Sequence, residues 1–341
     1  HVVEAGQRQM AILNTNSRYV YEELTEYLGR LSSTLPASLA VGFLVNSGSE
    51  ANELAVRLAR SYTGNHDMAV IEGAYHGHTG MLIDLSPYKF RGPGGRGSPE
   101  PWVHVLPIPD TYRRPTIDYS AEAREGMKQA GPLAGLLIES MLSCAGQVPL
   151  PPSYFPEVAS AVRNQGGLLI ADEVQVGFGR VGNQMWAFEE SGVTPDIVVM
   201  GKPIGNGHPM AAVFTTPEIA SSFGGMEFFS TFGGNPVSCA IGMAVMDVIE
   251  KEDLMNRAHV LGERFKTGLN SLMQEHELIG DVRGRGLFLG VEIVKDRSTL
   301  EPAAMEASEI VGAMRDQGVL LSTDGPLHNV IKIKPPMVLN H

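Results

Sequence analysis

Residues 168–175, LLIADEVQ, and 197–205, IVVMGKPIG, are apolar segments that each run into chemistry: Asp172 closes the first, and Gly201 and Lys202 follow the second. Short continuous apolar runs bounded by turn residues read as strands buried on both faces, the habit of a parallel sheet. Ligands of such sheets bind beyond the carboxyl ends of the strands, so Asp172 and Lys202 are expected in one site. An amine and a carboxylate so placed suit pyridoxal phosphate. The lysine forms a Schiff base with the cofactor aldehyde, and the acid pairs with the protonated pyridine nitrogen, keeping the ring an electron sink.

Working outward, LAGLLIES (133–140) and MAAVFTT (210–216) supply further short apolar strands, with a helical stretch, PPSYFPEVASAVRNQG (151–166), after the first. Glu139 joins Asp172 and Lys202 at a strand's carboxyl end. The alternation predicts an α/β fold whose large domain has a mostly parallel central sheet. Past residue 250 the texture becomes that of a smaller α+β C-terminal domain. One long helix over 235–276 leads into DVRGRGLFLGVEIVKD (281–296), another helix and a final strand, NVIKIK (329–334). We expect an N-terminal segment over 1–35, a large cofactor-binding domain over 36–250 and a small domain over 251–341. The chain opens on HVVEAGQRQMAILN, already helical and without an initiator methionine, and stops just after a strand. Residues missing from both ends are therefore expected.

Composition narrows the classes of function. The 341 residues are 43% hydrophobic and 19% charged, with a net charge of −12, which argues against a nucleic-acid groove. No apolar run approaches the roughly 18 residues of a membrane span, and no secretory signal is visible. Cys144 and Cys239 show no paired spacing, so neither a disulfide framework nor a zinc site is indicated, and a cytoplasmic location is expected.

A cofactor phosphate needs backbone donors at a helix start. Gly48 and Ser49 open the capped helix expected between Ser47 and Gly64 and fit that need, although a plain Ser/Gly cap would look the same. Tyr75 and His76 follow the strand MAVIEG, where an aromatic could stack on one ring face while Val174 packs the other. Gln175, three past Asp172, could donate to the phenolic oxygen. Thr231 and Gly233, in a turn entering a helix, could reach a phosphate from this subunit or a partner. His76 and His78 lack carboxylate or thiolate partners at ligand spacing, so no metal is expected. Two glycine-rich stretches, GPGGRG (92–97) and RGRGLFLG (283–290), lack the strand–turn–helix order of a dinucleotide fingerprint.

The motifs NSGSEANELAVRLAR, EGAYHGHTG, LIADEVQVGFGRVG, PDIVVMGKPIGNGHP and STFGGNPVSCA together resemble the class III aminotransferases of pyridoxal-phosphate fold type I, in order and over essentially the whole chain. The resemblance implies that Gly48 and Ser49 hold the phosphate and that Tyr75 stacks on the ring. It gives Asp172 the pyridine nitrogen, Gln175 the phenolic oxygen and Lys202 the Schiff base. Thr231 reaches the phosphate of the neighbouring subunit, so a homodimer with shared active sites is implied.

Within that family, LNTNSRY, LSPYKF, PDTYR, PLPPSYF, STDGP and NVIKIKPPM resemble the ethanolamine-phosphate phospho-lyase branch. Aminotransferases of the class commonly place an arginine where Lys332 stands here, gripping an α-carboxylate bidentately. Lysine lacks that fork. A small amino-phosphate substrate is therefore expected: Lys202 takes a proton from the carbon bearing the amine, and phosphate leaves from the next carbon. Arg18, His78 and Lys332 are candidates for stabilising it, although Arg18 and Lys332 also read as solvated surface cations, Lys332 on an edge strand. Glu139 could position Gln175 or the cofactor oxygen, or merely end its strand. An ω-aminotransferase using an amine or β-amino acid with a keto acid is the alternative enzyme; a non-catalytic cofactor-binding relative is the alternative without chemistry.

Overall fold

The computed structural model describes residues 1–15, 18–225 and 228–340. Seven strands form the larger sheet: β1 (Val41–Val45), β2 (Asp67–Ile71), β3 (Val103–Leu106), β4 (Leu133–Glu139), β5 (Leu168–Asp172), β6 (Ile197–Met200) and β7 (Ala211–Thr215). Their spatial order is β1-β7-β6-β5-β4-β2-β3. The segments β4, β5, β6 and β7 are buried at every position, which is why they read as unbroken apolar runs. Parallel pairing of β4 with β5 sets Glu139 opposite Asp172, and β5 pairs with β6 at Asp172 and Val199.

The fold class stands as expected, with one strand reversed. β7 pairs antiparallel with both β6 and β1, so it runs against the others. A strand buried on both faces carries no trace of its direction, so MAAVFTT gave no warning.

The helix Gly48–Thr63 packs against β4, β5, β6 and β7 of the larger sheet. Ser47 caps it by accepting from the Glu50 N–H, and Gly64 ends it at φ +70°, a left-handed conformation that glycine takes without a Cβ clash. Its buried face carries Ala51, Leu54, Ala55, Leu58 and Ala59, and also the polar Asn52.

Four more strands form an antiparallel sheet, β8 (Ile279–Arg285), β9 (Phe288–Ile293), β10 (Ser322–Asp324) and β11 (Val330–Ile333), ordered β10-β11-β9-β8. β11 lies between β10 and β9, which corrects the expectation that Lys332 sits on an edge strand. The single helix expected over 235–276 is two, Pro236–Lys251 and Leu254–Glu275, broken where Asp253 adopts φ +50°. Lys251, Glu252 and Asp253 offer no apolar group to hold the next turn to the core, and Asp tolerates the left-handed conformation. No helix of the described residues is long and apolar enough to cross a membrane.

Candidate active site

Asp172 is the best-held side chain of the site. Its Oδ2 accepts from Asn52 Nδ2 at 2.9 Å and faces His76 Nδ1 at 2.8 Å, while Oδ1 accepts from the Val174 N–H at 3.1 Å. The side chain is 4% exposed and that of His76 fully buried. Asn52 also donates to the His76 carbonyl, and the His76 N–H donates to Ser86 Oγ, so ring and carboxylate are fixed from two sides. With Nδ1 donating to the carboxylate, His76 Nε2 is left buried without a partner among the described residues. Glu139 Oε2, also buried, is likewise unpartnered. Burial drives the Glu139 carboxyl up to about 7, a rise that His76 opposes and the negative Asp172 adds to.

Lys202 sits just past β6 at φ +36°, left-handed backbone that a non-glycine residue holds only at a cost. Gly48 and Gly201 close in on Val174: a Cβ on either would lie 3.1 Å from Val174 Cγ1. The bare backbone there lets helix start, lysine loop and Val174 converge. Gly48, Ser49, Tyr75, His76, Glu139, Asp172, Val174, Gln175 and Lys202 all line one cavity of about 180 Å³, joined by Ser47, Asn52 and Gly77.

This donor set fits pyridoxal phosphate. The N-terminal turn of a 16-residue helix offers N–H groups to an anion, Lys202 offers an amine, and Asp172 a braced carboxylate. The unpartnered His76 Nε2 and Glu139 Oε2 are buried polar atoms at the same cavity, the kind that a bound polar group would satisfy.

The remaining sequence candidates lie elsewhere. Arg18 is exposed, its guanidinium 5.5 Å from the centre of the Phe229 ring. His78 is exposed and contributes its backbone N–H, which donates to Ser49 Oγ at 3.1 Å. Lys332 Nζ is 2.9 Å from Asp324 Oδ2, a carboxylate only 5% exposed. None of the three lines the cavity. Thr231 is exposed and does not line it either; the resemblance assigns it to the neighbouring subunit.

Three residues escaped the sequence reading. Asn52 carried a usable signal, a polar residue on the buried face of its helix. Ser143 gave none: its hydroxyl donates to Glu139 Oε1 and accepts from Gln175 Nε2 at 2.8 Å. Lys334 reaches Gln175 Oε1 at 2.7 Å, a contact that its place just past the final strand does not announce.

An α/β fold with a lysine and a braced aspartate at adjacent strand ends defines the architecture of pyridoxal-phosphate fold type I. All of residues 1–341 match the family described as Aminotransferase class-III, and the chain belongs to that family, whose enzymes depend on pyridoxal phosphate. It is 49% identical over 357 residues to a Drosophila melanogaster protein named alanine–glyoxylate aminotransferase 2-like, spanning 99% of this chain and 72% of the relative. It is 45% identical to ethanolamine-phosphate phospho-lyase homolog 1 of Caenorhabditis elegans, spanning 99% and 78%. Among solved structures, a phospholyase from Arthrobacter in complex with phosphoethanolamine matches with a TM-score of 0.93 and 39% identity, over 100% of this chain and 82% of that one.

Proposed function

We propose that the protein is a pyridoxal-phosphate-dependent phospho-lyase that eliminates phosphate from O-phosphoethanolamine, the remaining two-carbon enamine then becoming an imine that water hydrolyses to acetaldehyde and ammonia. The observation that carries this reading is the position of Lys332. Where the resemblance places an arginine that grips an α-carboxylate, this chain has a lysine committed to the buried Asp324. A point charge already neutralised is a poor clamp for a second carboxylate, so a substrate without one fits. The similarity to a phospholyase holding phosphoethanolamine supports the same direction.

When bound, pyridoxal phosphate supplies a conjugated ring that accepts the electron pair left as a proton departs from the carbon beside the substrate amine. The chain's own residues do the rest. Asp172, held by Asn52, His76 and the Val174 N–H, would pair with the cofactor's ring nitrogen and favour a proton on that atom. Lys202 Nζ, the amine lining the cavity, takes the proton from the substrate carbon. Val174, wedged between Gly48 and Gly201, would pack one face of the ring. A departing phosphate is stabilised by nearby positive charge, and Lys334 brings a cation within one hydrogen bond of the cavity wall.

We infer a homodimer in the cytoplasm, with Thr231 serving the partner's site. Exposed Tyr19, Val20, Phe229 and Phe232 support an apolar face for a second copy to cover. The division into 1–35, 36–250 and 251–341 is supported by the two separate sheets.

The second reading, an ω-aminotransferase, is favoured by the 49% identity to a relative carrying an aminotransferase name. The test is product analysis with O-phosphoethanolamine. Phosphate and ammonia released without any keto acid support the lyase; turnover that strictly requires pyruvate or glyoxylate overturns it.

A further inference from the structure

Beside the cavity, four side chains form a one-way series of three hydrogen bonds that ends on the acceptor Glu139. Lys334 Nζ donates to Gln175 Oε1 at 2.7 Å, Gln175 Nε2 donates to Ser143 Oγ at 2.8 Å, and Ser143 Oγ donates to Glu139 Oε1. An ammonium has no lone pair, so whatever it touches on Gln175 must be the carbonyl oxygen. Ser143 has given its only proton to Glu139, so its oxygen must accept, and the atom facing it on Gln175 must be the nitrogen. Both neighbours impose the same orientation on an amide whose two ends are nearly alike in shape. Gln175 Nε2 carries a second proton, which finds no acceptor among the described residues, and Gln175 lines the cavity.

We propose that Lys334 is a positioning residue that locks the Gln175 amide with its remaining N–H turned to an oxygen of the bound cofactor. This rests on the pyridoxal-phosphate reading of the site. Without the ammonium, Ser143 alone holds the amide, and it can reverse its own hydrogen bond once Glu139, whose carboxyl titrates at about 7, takes up a proton. A turned amide would then present a lone pair where a donor is needed, changing the proton affinity of the cofactor beside it.

The surroundings of Lys334 suit the task. Its Nζ lies 4.1 Å from the centre of the Phe288 ring, which with the Gln175 carbonyl holds the cation in place. Burial and the like charge of Lys332 bring its amine down to about 8, against the opposing pull of Asp324, Glu139 and Cys144. The lysine's half of the lock therefore holds at neutral pH and below, where the amine is a pure donor, while the Ser143 half holds as long as Glu139 stays ionised.

The test is a pH titration of the visible absorbance of the holoenzyme. It compares wild type, Lys334→Met, Lys334→Arg, Gln175→Leu and the double variant Lys334→Met/Gln175→Leu, with circular dichroism as a check on folding. Loss of a hydrogen bond to a charged group corresponds to about one pH unit or more. Lys334→Met and Gln175→Leu are each expected to move the spectral midpoint by about that much in the same direction. The double variant moves it no further than Gln175→Leu, because Lys334 acts through Gln175, and Lys334→Arg stays near wild type. Should Lys334→Met not fold, Lys334→Ala provides the same comparison. An unmoved midpoint without the lysine, or additive shifts in the double variant, overturns the proposal. A wild-type chain that takes up no cofactor fails differently: no band forms in any variant, and the cofactor reading falls as well.

Discussion

His76 Nδ1 stands 2.8 Å from Asp172 Oδ2 with both side chains buried, making a bound pair in the wall of the cavity. The histidine holds the acid still, and the acid fixes which ring nitrogen carries the proton. His76→Leu removes one of three donors to a buried carboxylate, a loss of about 1.5–3 kcal/mol. Cofactor affinity, measured by titrating the apo chain with pyridoxal phosphate, should fall by about tenfold to a hundredfold. Unchanged affinity would mean that Asn52 and the Val174 N–H suffice.

Asp172→Asn keeps the shape and deletes the charge. Turnover should fall by about 10² to 10³ while far-UV circular dichroism stays the same. Steady-state kinetics at saturating cofactor separates this from simple loss of binding, and near-normal turnover would remove Asp172 from its role.

Gly77 has φ +153°, and a Cβ there would lie 2.5 Å from Leu82 Cδ1 and 2.8 Å from Ser49 Oγ. Gly77→Ala therefore strains the turn and pushes on the serine that opens the helix Gly48–Thr63. We expect a loss of about 1–3 kcal/mol in urea denaturation, together with reduced cofactor occupancy. A variant as stable and as fully loaded as wild type would contradict this packing.

Glu173 is wholly buried, and its carboxyl accepts from the Ala187 and Phe188 N–H groups at 2.9 Å each. Burial nevertheless lifts its titration to about 7 from an ordinary 4.5. Between those values the folded chain keeps a proton that the unfolded chain has lost, so this group's contribution to stability declines as pH rises from about 4.5 to about 7 and is flat beyond. Glu173→Gln should flatten that part of the stability–pH curve, a difference on the order of a few kcal/mol at most. Denaturation at pH 5 and pH 7.5 checks it; equal slopes in both proteins would refute it.

Lys332 neutralises Asp324, which also accepts from Gln147 Nε2 at 3.3 Å. Lys332→Met strands that buried acid and should cost about 1–3 kcal/mol. Adding Asp324→Asn should restore much of the loss. Thermal denaturation of the two variants decides whether the pair is structural, and a single variant that melts like wild type would show that it is not.

The sequence was most legible where one physical demand dominates. Apolar runs leading into Asp172 and Lys202 mark strand ends, the cap Ser47 marks the start of the helix Gly48–Thr63, and nine predicted residues meet at one cavity. Legibility failed where two demands look alike in the sequence. The direction of β7 is silent because both of its faces are buried. Lys332 and Lys334 share an alternating pattern, yet β11 ends at Ile333, so the second lysine leaves the sheet and turns to Gln175. The break at Asp253 follows from what three charged residues fail to provide, and an absence is harder to read than a motif.

The reversal of β7 has a mechanical consequence. A parallel successor would have carried the chain to the far end of the sheet before it returned. Because β7 runs back beside β6, the loop bearing Lys202 leaves and re-enters at one rim, stapled to a central strand at each end. The Lys202 amine is thus mounted on a short bridge between two fixed piers, and grafting it into another scaffold would require transplanting both.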